Sequence, residues 1–354
     1  MSTSRLPHRP RRSLARAVAP LAAVLLALPL AACGTDSEDG NDAGSDDDTA
    51  TSSGVFEPVT IEHAFGSTEI DERPQRVVTW GWGSPDAAIA LGVTPVAMEG
   101  LTYGASEDGF MPWQEEAFEE SGDDKPTVLT PGESPPFEEI LAADPDVILA
   151  NYSGITEADY KKLSRIADTV AYPEEPWATP WRDVVTTVGQ VLGETDAADQ
   201  LLEDIDGEVA AAAKAHPEFE GKTIAAVAID PSAFYVYRGA DPRVQFLEDL
   251  GFTLAPSVDE LDTEETTFYY TISPEVVDDL TSDVLLSYVP NEDAATTIAE
   301  DPTYQAMSQF QDDRVATVVG EAEVSSVSPP TALSLVWGLD AFVEALVPAV
   351  EAAE

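Results

Sequence analysis

A regular alternation of short apolar runs with helical patterns is the feature of this chain that most constrains its fold. Strand-like runs separated by helices indicate a parallel sheet with helices on its faces. The predicted strands are residues 76–80, 94–98, 147–150, 169–172, 223–229, 252–254, 284–289 and 314–319. The predicted helices are residues 86–91, 137–143, 159–167, 180–192, 196–216, 243–250, 275–280 and 331–347.

The two halves of the chain also resemble each other. Residues 137–149 align without a gap with residues 274–286, so that a helix, a turn and a strand fall in register. The identical pairs are Glu138/Glu275, Asp146/Asp283 and Leu149/Leu286. We therefore predict an α/β fold with two similar lobes, each a mostly parallel sheet flanked by helices.

The segment between the halves carries a long helical pattern at residues 196–216, which ends at His216-Pro217. About 20 residues at a rise of about 1.5 Å each make a rod of about 30 Å, long enough to cross from one lobe to the other. The predicted organisation is an N-terminal lobe at residues 58–195 and a C-terminal lobe at residues 217–354, joined by this one long helix. A single helical connector indicates a stiff pair of lobes with little hinge motion.

The first 32 residues have the pattern of an export signal, in which five arginines precede an apolar run at residues 17–30. That run is too short to span a bilayer. Leu30-Ala31-Ala32-Cys33 resembles the lipobox of bacterial lipoproteins, and Cys33 is the only cysteine of the chain. The resemblance implies that Cys33 carries a lipid, with an ordinary secretory signal as the alternative. The pair Arg11-Arg12 leaves the general and the twin-arginine export routes both open.

Residues 33–57 would then be a lipidated cysteine followed by an acidic tether. The tether is rich in Gly, Ser, Asp and Thr and has almost no apolar side chains, so burial cannot offset the entropy of ordering it. We expect it to be disordered. The mature chain would sit outside the cytoplasm, on the outer face of the cell membrane, and would touch the membrane through the lipid anchor only.

The charge of the chain excludes one class of partner. The sequence has 17 basic and 67 acidic residues, a net charge of −50, and loss of the five leader arginines leaves −55. Such a surface repels nucleic acid and anionic membranes. We therefore expect no nucleic-acid partner.

The sequence gives little support for catalysis. It has no Gly-x-Ser-x-Gly elbow, no P-loop and no cysteine besides Cys33. His63 and His216 are the only histidines beyond the leader, so a histidine triad or a zinc site is not expected. We predict no catalytic residues, no protein-bound metal and no cofactor. An extracellular hydrolase that uses paired carboxylates is the alternative from a different class.

Aromatic residues follow the predicted strands at the edge where ligands of parallel sheets usually bind. Rings of this kind offer apolar area with a polar tip, which suits a bulky organic ligand. Arg182 and Arg238 are the candidate ligand-facing cations, with an ion pair to a carboxylate as the alternative for each. For each ring the alternative is a place in the core. The predicted ligand-binding residues are Trp80, Trp82, Tyr103, Tyr152, Trp177, Trp181, Arg182, Tyr235, Tyr237, Arg238 and Tyr288. Trp113, in a predicted long loop, would be a lid or a surface anchor.

Several short segments, in a fixed order, carry a resemblance to a known family. They are residues 63–70, 73–78, 91–97, 138–149 and 188–193. In this order they resemble the class III, single-helix-linked substrate-binding proteins of ABC importers, in the ferric-siderophore branch. The likeness extends from Thr60 to the C-terminus.

The resemblance implies that a monomer captures a ferric siderophore in the cleft between its lobes and delivers it to an ABC permease dimer. The iron would arrive already chelated, without a direct protein ligand. The same resemblance assigns permease docking to Glu138 and Glu275, one on each lobe. The strongly negative surface favours a neutral or cationic hydroxamate siderophore over a trianionic catecholate. A cobalamin or haem carrier of the same fold is the nearest alternative.

Overall fold

The computed structural model describes residues 56–354, apart from 231–232, 264–265 and 267. The predicted leader, Cys33 and nearly all of the predicted tether lie outside the described residues. The strands are β1 Val59–His63, β2 Gly66–Ile70, β3 Val77–Thr79, β4 Ala97–Glu99, β5 Thr127–Leu129, β6 Val147–Ala150, β7 Asp168–Ala171, β8 Thr223–Asp230, β9 Ala233–Tyr237, β10 Thr253–Leu254, β11 Tyr269–Ile272, β12 Val284–Val289 and β13 Val315–Val319. The helices are α1 Ser84–Ala90, α2 Pro112–Ser121, α3 Phe137–Ala142, α4 Glu157–Leu163, α5 Trp181–Leu192, α6 Thr195–Ala215, α7 Pro242–Asp249, α8 Pro256–Glu260, α9 Glu292–Glu300, α10 Ser308–Gln311, α11 Glu321–Val327 and α12 Ala332–Ala352.

The N-terminal lobe is built on a parallel sheet in the order β5-β4-β3-β6-β7. The strands β3 and β6 are fully buried and, apart from Thr79, apolar, as expected for a sheet that is covered on both faces. The Asp146 carboxylate accepts hydrogen bonds from the backbone N–H groups of Gln75 at 2.6 Å and Arg76 at 3.0 Å. These bonds tie the start of β6 to the start of β3.

The C-terminal lobe has a mixed sheet in the order β11-β9-β8-β12-β13, with β10 also paired to β8. β10, β8, β12 and β13 run parallel to one another, β9 is antiparallel to β8, and the edge strand β11, antiparallel to β9, runs in the same direction as β8. Asp283, which precedes β12, accepts hydrogen bonds from the Thr223 N–H and hydroxyl, each at 2.8 Å. The aspartates that are identical in the repeat, Asp146 and Asp283, thus have the same role in the two lobes, and the predicted α/β fold with two similar lobes is confirmed.

Two long helices, α6 and α12, each contact elements of both lobes. α6 buries Ala198, Ile205 and Val209 along one side and packs on α5 and α12. α12 packs on α6 and β13, and also on α1 and α2 of the N-terminal lobe. Among the described helices α12 is long and apolar enough to cross a membrane, but half of its apolar stretch is buried in the protein. It therefore has the position of a core helix that contacts both lobes.

Two local predictions were wrong. Residues 112–121, predicted as part of a long loop, form α2, and Trp113 is a buried member of it with 3% of its surface exposed. Trp113 is therefore neither a lid nor a surface anchor. Residues 275–280, predicted as a helix, contain only a 3-10 turn at Val277–Asp279.

Candidate ligand-binding cleft

The turn after β3 aims Trp82 across to the C-terminal lobe. Gly81 has φ of +94°, and a Cβ at this position would lie 2.5 Å from the Tyr152 carbonyl oxygen, so the turn requires glycine. The Trp82 N–H donates to that same carbonyl at 3.0 Å. The Trp82 indole Nε1 donates to the carbonyl oxygen of Pro329 at 3.0 Å. Trp82 therefore connects the carboxyl end of β3 to the segment before α12.

Tyrosines of the C-terminal lobe share one face of its sheet. Tyr235 and Tyr237 alternate with buried Phe234 and Val236 along β9, so the two tyrosines point to the face opposite these apolar residues. The rings of Tyr237 and Tyr288, on β9 and β12, lie 6.1 Å apart in an edge-to-face arrangement. The result is an aromatic surface on the side of the sheet that faces the N-terminal lobe.

Arg243 is the cation at the centre of this surface. Its guanidinium lies 4.3 Å from the centre of the Tyr237 ring. Nη1 donates to the Asp241 carboxylate at 2.6 Å, and Nε donates to the Ser328 hydroxyl at 2.6 Å. Asp241 is almost fully buried and caps α7 through the Arg243 backbone N–H at 2.8 Å. The two charges therefore form a buried pair at the start of α7.

The charge of Arg243 interacts with tyrosine hydroxyl groups from both lobes. Burial alone lowers the pKa of Arg243, but the charge of Asp241 and the phenols of Tyr237, Tyr152 and Tyr288 outweigh burial and raise it. Burial also raises the pKa of Tyr152, Tyr237 and Tyr288, and the nearby Arg243 only partly offsets that rise. At neutral pH the site therefore holds a guanidinium and protonated phenols, all of which can donate hydrogen bonds.

Tyr103 and Trp177 are the exposed rings of this region. Tyr103 is 45% exposed, and burial, then the neighbouring Glu321 and Tyr237, raise its pKa. The next residue, Gly104, donates its N–H to the Glu321 carboxylate at 3.1 Å, which links a loop of one lobe to α11 of the other. Trp177 is 42% exposed and packs edge-to-face on Tyr152 at 5.9 Å.

Three other predicted ligand-binding residues, Trp80, Trp181 and Tyr235, differ in how they are placed. Trp80 is buried in the N-terminal core, and Trp181 is buried in the core shared by the lobes, although it borders a small space beside Tyr152 and Pro329. Within the described part of the chain the Trp181 indole N–H has no hydrogen-bond partner. Tyr235 packs on Tyr269 at 5.4 Å, farther along the same face as Tyr237.

The two predicted cations are held in ion pairs with carboxylates and have no hydrogen bond to Arg243 or to its phenol neighbours within the described residues. Arg182 donates to Asp206 at 2.6 Å and to Asp249 at 2.8 Å. Arg238 donates to Asp262 at 2.7 Å. Both arginines therefore have a carboxylate partner, as the ion-pair alternative for each of them predicts, and neither belongs to the proposed site.

Sequence reasoning missed Arg243. In the sequence, Asp241-Pro242 indicates only the start of a helix, and this pattern says nothing about the position of the arginine that follows it. Arg243 belongs to the cleft because its guanidinium stacks on the ring of Tyr237, which lies on the antiparallel strand β9. The sequence pattern does not predict β9 or β11, and it places Tyr235 and Tyr237 in a loop after the strand at residues 223–229.

Glu138 and Glu275 are both exposed at strand carboxyl ends. Glu138 lies in the first turn of α3, which follows β5, and Glu275 lies shortly after β11. β11 runs parallel to β8, because each is antiparallel to β9. Each glutamate is therefore at the cleft-side edge of its own lobe. Within the described residues no group of three or more His, Cys, Asp or Glu is placed to hold a metal ion.

A cleft between two α/β lobes, bridged by long helices and lined by aromatic rings, defines a solute-binding protein. The sequence profile of the periplasmic binding protein family matches residues 77–321, and the chain belongs to that family. It is thus an extracytoplasmic solute-binding protein and not an enzyme, as predicted. The predicted class III fold is confirmed as well.

Individual relatives agree with the family assignment. The crystal structure of PiaA from Streptococcus pneumoniae TIGR4, in complex with ferrichrome, superposes with a TM-score of 0.76 at 32% identity, over 83% of this chain and 99% of that one. A periplasmic solute binding protein from Mycobacterium smegmatis gives a TM-score of 0.71 at 26% identity, over 83% and 99%. The ferric enterobactin-binding periplasmic protein FepB from Escherichia coli is 27% identical over 208 residues, which are 56% of this chain and 62% of FepB. That match spans less than two thirds of the length of FepB.

Proposed function

We propose that this protein captures a ferric siderophore of the hydroxamate type between its lobes and delivers it to an ABC permease. The observation that carries the proposal is the central cluster of Trp82, Tyr152, Tyr237, Tyr288 and Arg243. Trp82 and Tyr237 are half-buried and offer apolar area, whereas Tyr152 and Tyr288 are each 6% exposed. The phenols and the guanidinium offer donors to the oxygen atoms of an iron chelate. A chelate whose iron is fully coordinated needs no protein ligand to the metal.

The charges of the cleft favour a neutral chelate. The Arg243 cation is balanced by the buried Asp241 carboxylate at 2.6 Å. Glu321 lies beside Tyr103 at one side of the cleft, and burial raises the pKa of Glu99, which accepts a hydrogen bond from the Gly81 N–H. A trianionic ferric catecholate would meet this surface without surplus positive charge. PiaA, with which this chain shares 32% identity, was crystallised with ferrichrome, a ferric hydroxamate.

A ligand screen tests this proposal. The purified protein is titrated with ferrichrome, ferric enterobactin, haem and cobalamin while its intrinsic fluorescence is followed, and each mixture is passed through gel filtration. We expect ferrichrome to co-elute with the protein and to bind at least tenfold more tightly than ferric enterobactin. Tighter binding of the catecholate by tenfold would overturn the hydroxamate assignment. Retention of only haem or cobalamin would overturn the siderophore assignment.

We also propose that Glu138 and Glu275 dock on the two subunits of the permease. In support, both glutamates are exposed at the cleft-side edges and occupy equivalent positions in the repeat. Replacing both with alanine should leave ferrichrome affinity unchanged while cellular uptake of ⁵⁵Fe-ferrichrome falls sharply. The control replaces Glu203 and Glu344, exposed on α6 and α12, and removes the same charge. Equal uptake by the two double variants would place docking elsewhere.

Anchoring through a lipid on Cys33 completes the proposal, with the protein acting as a monomer on the outer face of the membrane. The residues that support it are Leu30-Ala31-Ala32-Cys33 at the end of the leader. Cys33→Ala should release the protein from the membrane fraction without changing ferrichrome affinity. Continued membrane attachment of this variant would contradict lipidation at Cys33.

A further inference from the structure

Asp86 on α1 is a buried carboxylate whose hydrogen-bond partners come from both lobes. Only 2% of its surface is exposed. Oδ1 accepts a hydrogen bond from the Gln114 amide at 2.6 Å, and Oδ2 accepts one from the Trp113 indole N–H at 2.7 Å. Oδ2 also accepts a hydrogen bond from the Thr331 hydroxyl, which belongs to the C-terminal lobe. All three partners are neutral.

The direction of each hydrogen bond is fixed by the surrounding groups. The Gln114 amide oxygen accepts from the Met111 N–H at 3.0 Å, so the amide nitrogen faces Asp86. The Thr331 hydroxyl accepts from the Ser334 N–H at 3.1 Å, so its own hydrogen points to Asp86. An indole N–H can only donate. Both carboxylate oxygens are therefore acceptors, and these three hydrogen bonds favour the ionised form of Asp86, while burial outweighs them and raises its pKa.

Thr331 ends a short segment, Ser328–Thr331, that touches the cleft. The Ser328 hydroxyl accepts the hydrogen bond from Arg243 Nε, and the Pro329 carbonyl accepts the one from Trp82 Nε1. Thr331 then caps α12 and donates to Asp86. Three of the four residues in this segment are thus hydrogen-bonded to Arg243, Trp82 or Asp86.

Further contacts hold the start of α12 against the N-terminal lobe. The rings of Trp113 and Trp337 lie 5.6 Å apart, and the Trp337 indole donates to Glu116 on α2 at 3.2 Å. The α12 N-terminus also carries partial positive charge, which favours an anion such as Asp86 close to its cap. The segment has a firm anchor at Thr331, while its other end faces Arg243.

We infer that Asp86 is a positioning residue for ligand binding, which holds Ser328–Thr331 and through it sets the places of Arg243 and Trp82. The inference rests on the proposed function, since it takes those two side chains as ligand contacts. Without the bond from Thr331, the segment would lose its anchor to α1. Arg243 would then keep Asp241 but lose a fixed partner in Ser328.

Two variants break the link at different points. Asp86→Ala removes the carboxylate, and Thr331→Val removes only the hydroxyl that reaches it. Each should weaken ferrichrome binding roughly tenfold, within the range of couplings transmitted through packed networks. The double variant should be no weaker than the poorer single variant, because both remove the same link. Thr331→Ser, which keeps the hydroxyl, should bind within twofold of the wild type.

Asp159→Ala is the matched control for a purely structural effect. Asp159 is buried in the same lobe, where it forms the capping box of α4 with Thr156 and has no bond to Ser328–Thr331. This variant should lower the melting temperature yet bind ferrichrome within twofold of the wild type. All affinities are measured well below the melting temperature of each variant.

Hydrogen exchange of the ligand-free protein separates this inference from the proposed function. In Asp86→Ala and Thr331→Val, amides of residues 331–335 and of the start of α7 should exchange faster than in the wild type and in Asp159→Ala. Failure of the wild type to bind any ferric siderophore would overturn the proposed function, while faster exchange at α7 would still support the positioning role. Unchanged exchange at α7, or unchanged affinity in both Asp86→Ala and Thr331→Val, would overturn the positioning role.

Discussion

Removal of the Arg243 guanidinium should affect stability and binding by separable amounts. In Arg243→Met the side-chain stem stays, but Asp241, with a side chain only 1% exposed, loses its ion-pair partner. Breaking a buried pair by deleting one partner costs about 3–5 kcal/mol, because the remaining charge stays buried. In a domain of this size each kcal/mol shifts the melting temperature by about 2 °C, so we expect a fall of about 6–10 °C.

Adding Asp241→Asn to that variant should restore much of the lost stability. Asparagine is neutral and still caps α7, so no unpaired charge remains in the interior. Ferrichrome affinity should not recover, because the guanidinium is still missing. Loss of such a contact typically costs about 2 kcal/mol, a roughly thirtyfold weaker complex.

The assay is differential scanning fluorimetry together with fluorescence titration of ferrichrome. Arg238→Met is the matched control, since Arg238 is ion-paired with Asp262 in the same lobe but lies outside the central cluster. The control should bind within twofold of the wild type. The reasoning fails if Arg243→Met also binds within twofold, or if the double variant is as unstable as the single one.

Other predictions follow from single contacts. Trp82→Phe removes the donor to the Pro329 carbonyl and should lower the free energy of unfolding in urea by about 1 kcal/mol; an unchanged free energy of unfolding would contradict the contact. Burial raises the pKa of Asp283, but the hydrogen bonds from Thr223 outweigh burial, so the pKa lies below its usual value. The ionised Asp283 therefore stabilises the fold above about pH 4, and this stabilisation is lost as the pH falls below that value. Asp283→Asn should therefore cost about 1.5 kcal/mol in urea unfolding at pH 7 and clearly less at pH 3, whereas an equal cost at both values would refute the linkage. Arg182→Met should leave ferrichrome affinity unchanged and cost less than about 1 kcal/mol, and a tenfold weaker complex would return this arginine to the site.

The sequence predicted the repeated architecture because its signals are local. Apolar runs, glycine stops and capping residues set each strand and helix from within a few neighbours, and the α6 helix at Thr195–Ala215 lies within one residue of its predicted bounds. The identical aspartates Asp146 and Asp283 marked equivalent strand starts in both lobes. The sequence does not predict α2, because the apolar residues of this helix do not follow a clear helical period.

The residues of the site could be predicted only in part from the sequence, for a different reason. Trp82 and Tyr152 follow parallel strands, so their place at the cleft could be argued from position alone. Tyr237 reaches the cleft because β9 runs antiparallel to β8, and the sequence between these strands has no Asn-Gly or Asp-Gly pair that would signal a hairpin.

The choice among the arginines was decided by tertiary structure alone. Sequence shows that cations are scarce among many carboxylates, but not which carboxylate each one meets. Arg182 and Arg238 meet aspartates outside the central cluster, whereas Arg243 lies between Asp241, Tyr237 and the segment before α12. Charge pairing acts over a few ångströms in space between residues that can be far apart in the chain, so the sequence determined the two-lobed binding fold and only the packed lobes determined which cation the ligand would meet.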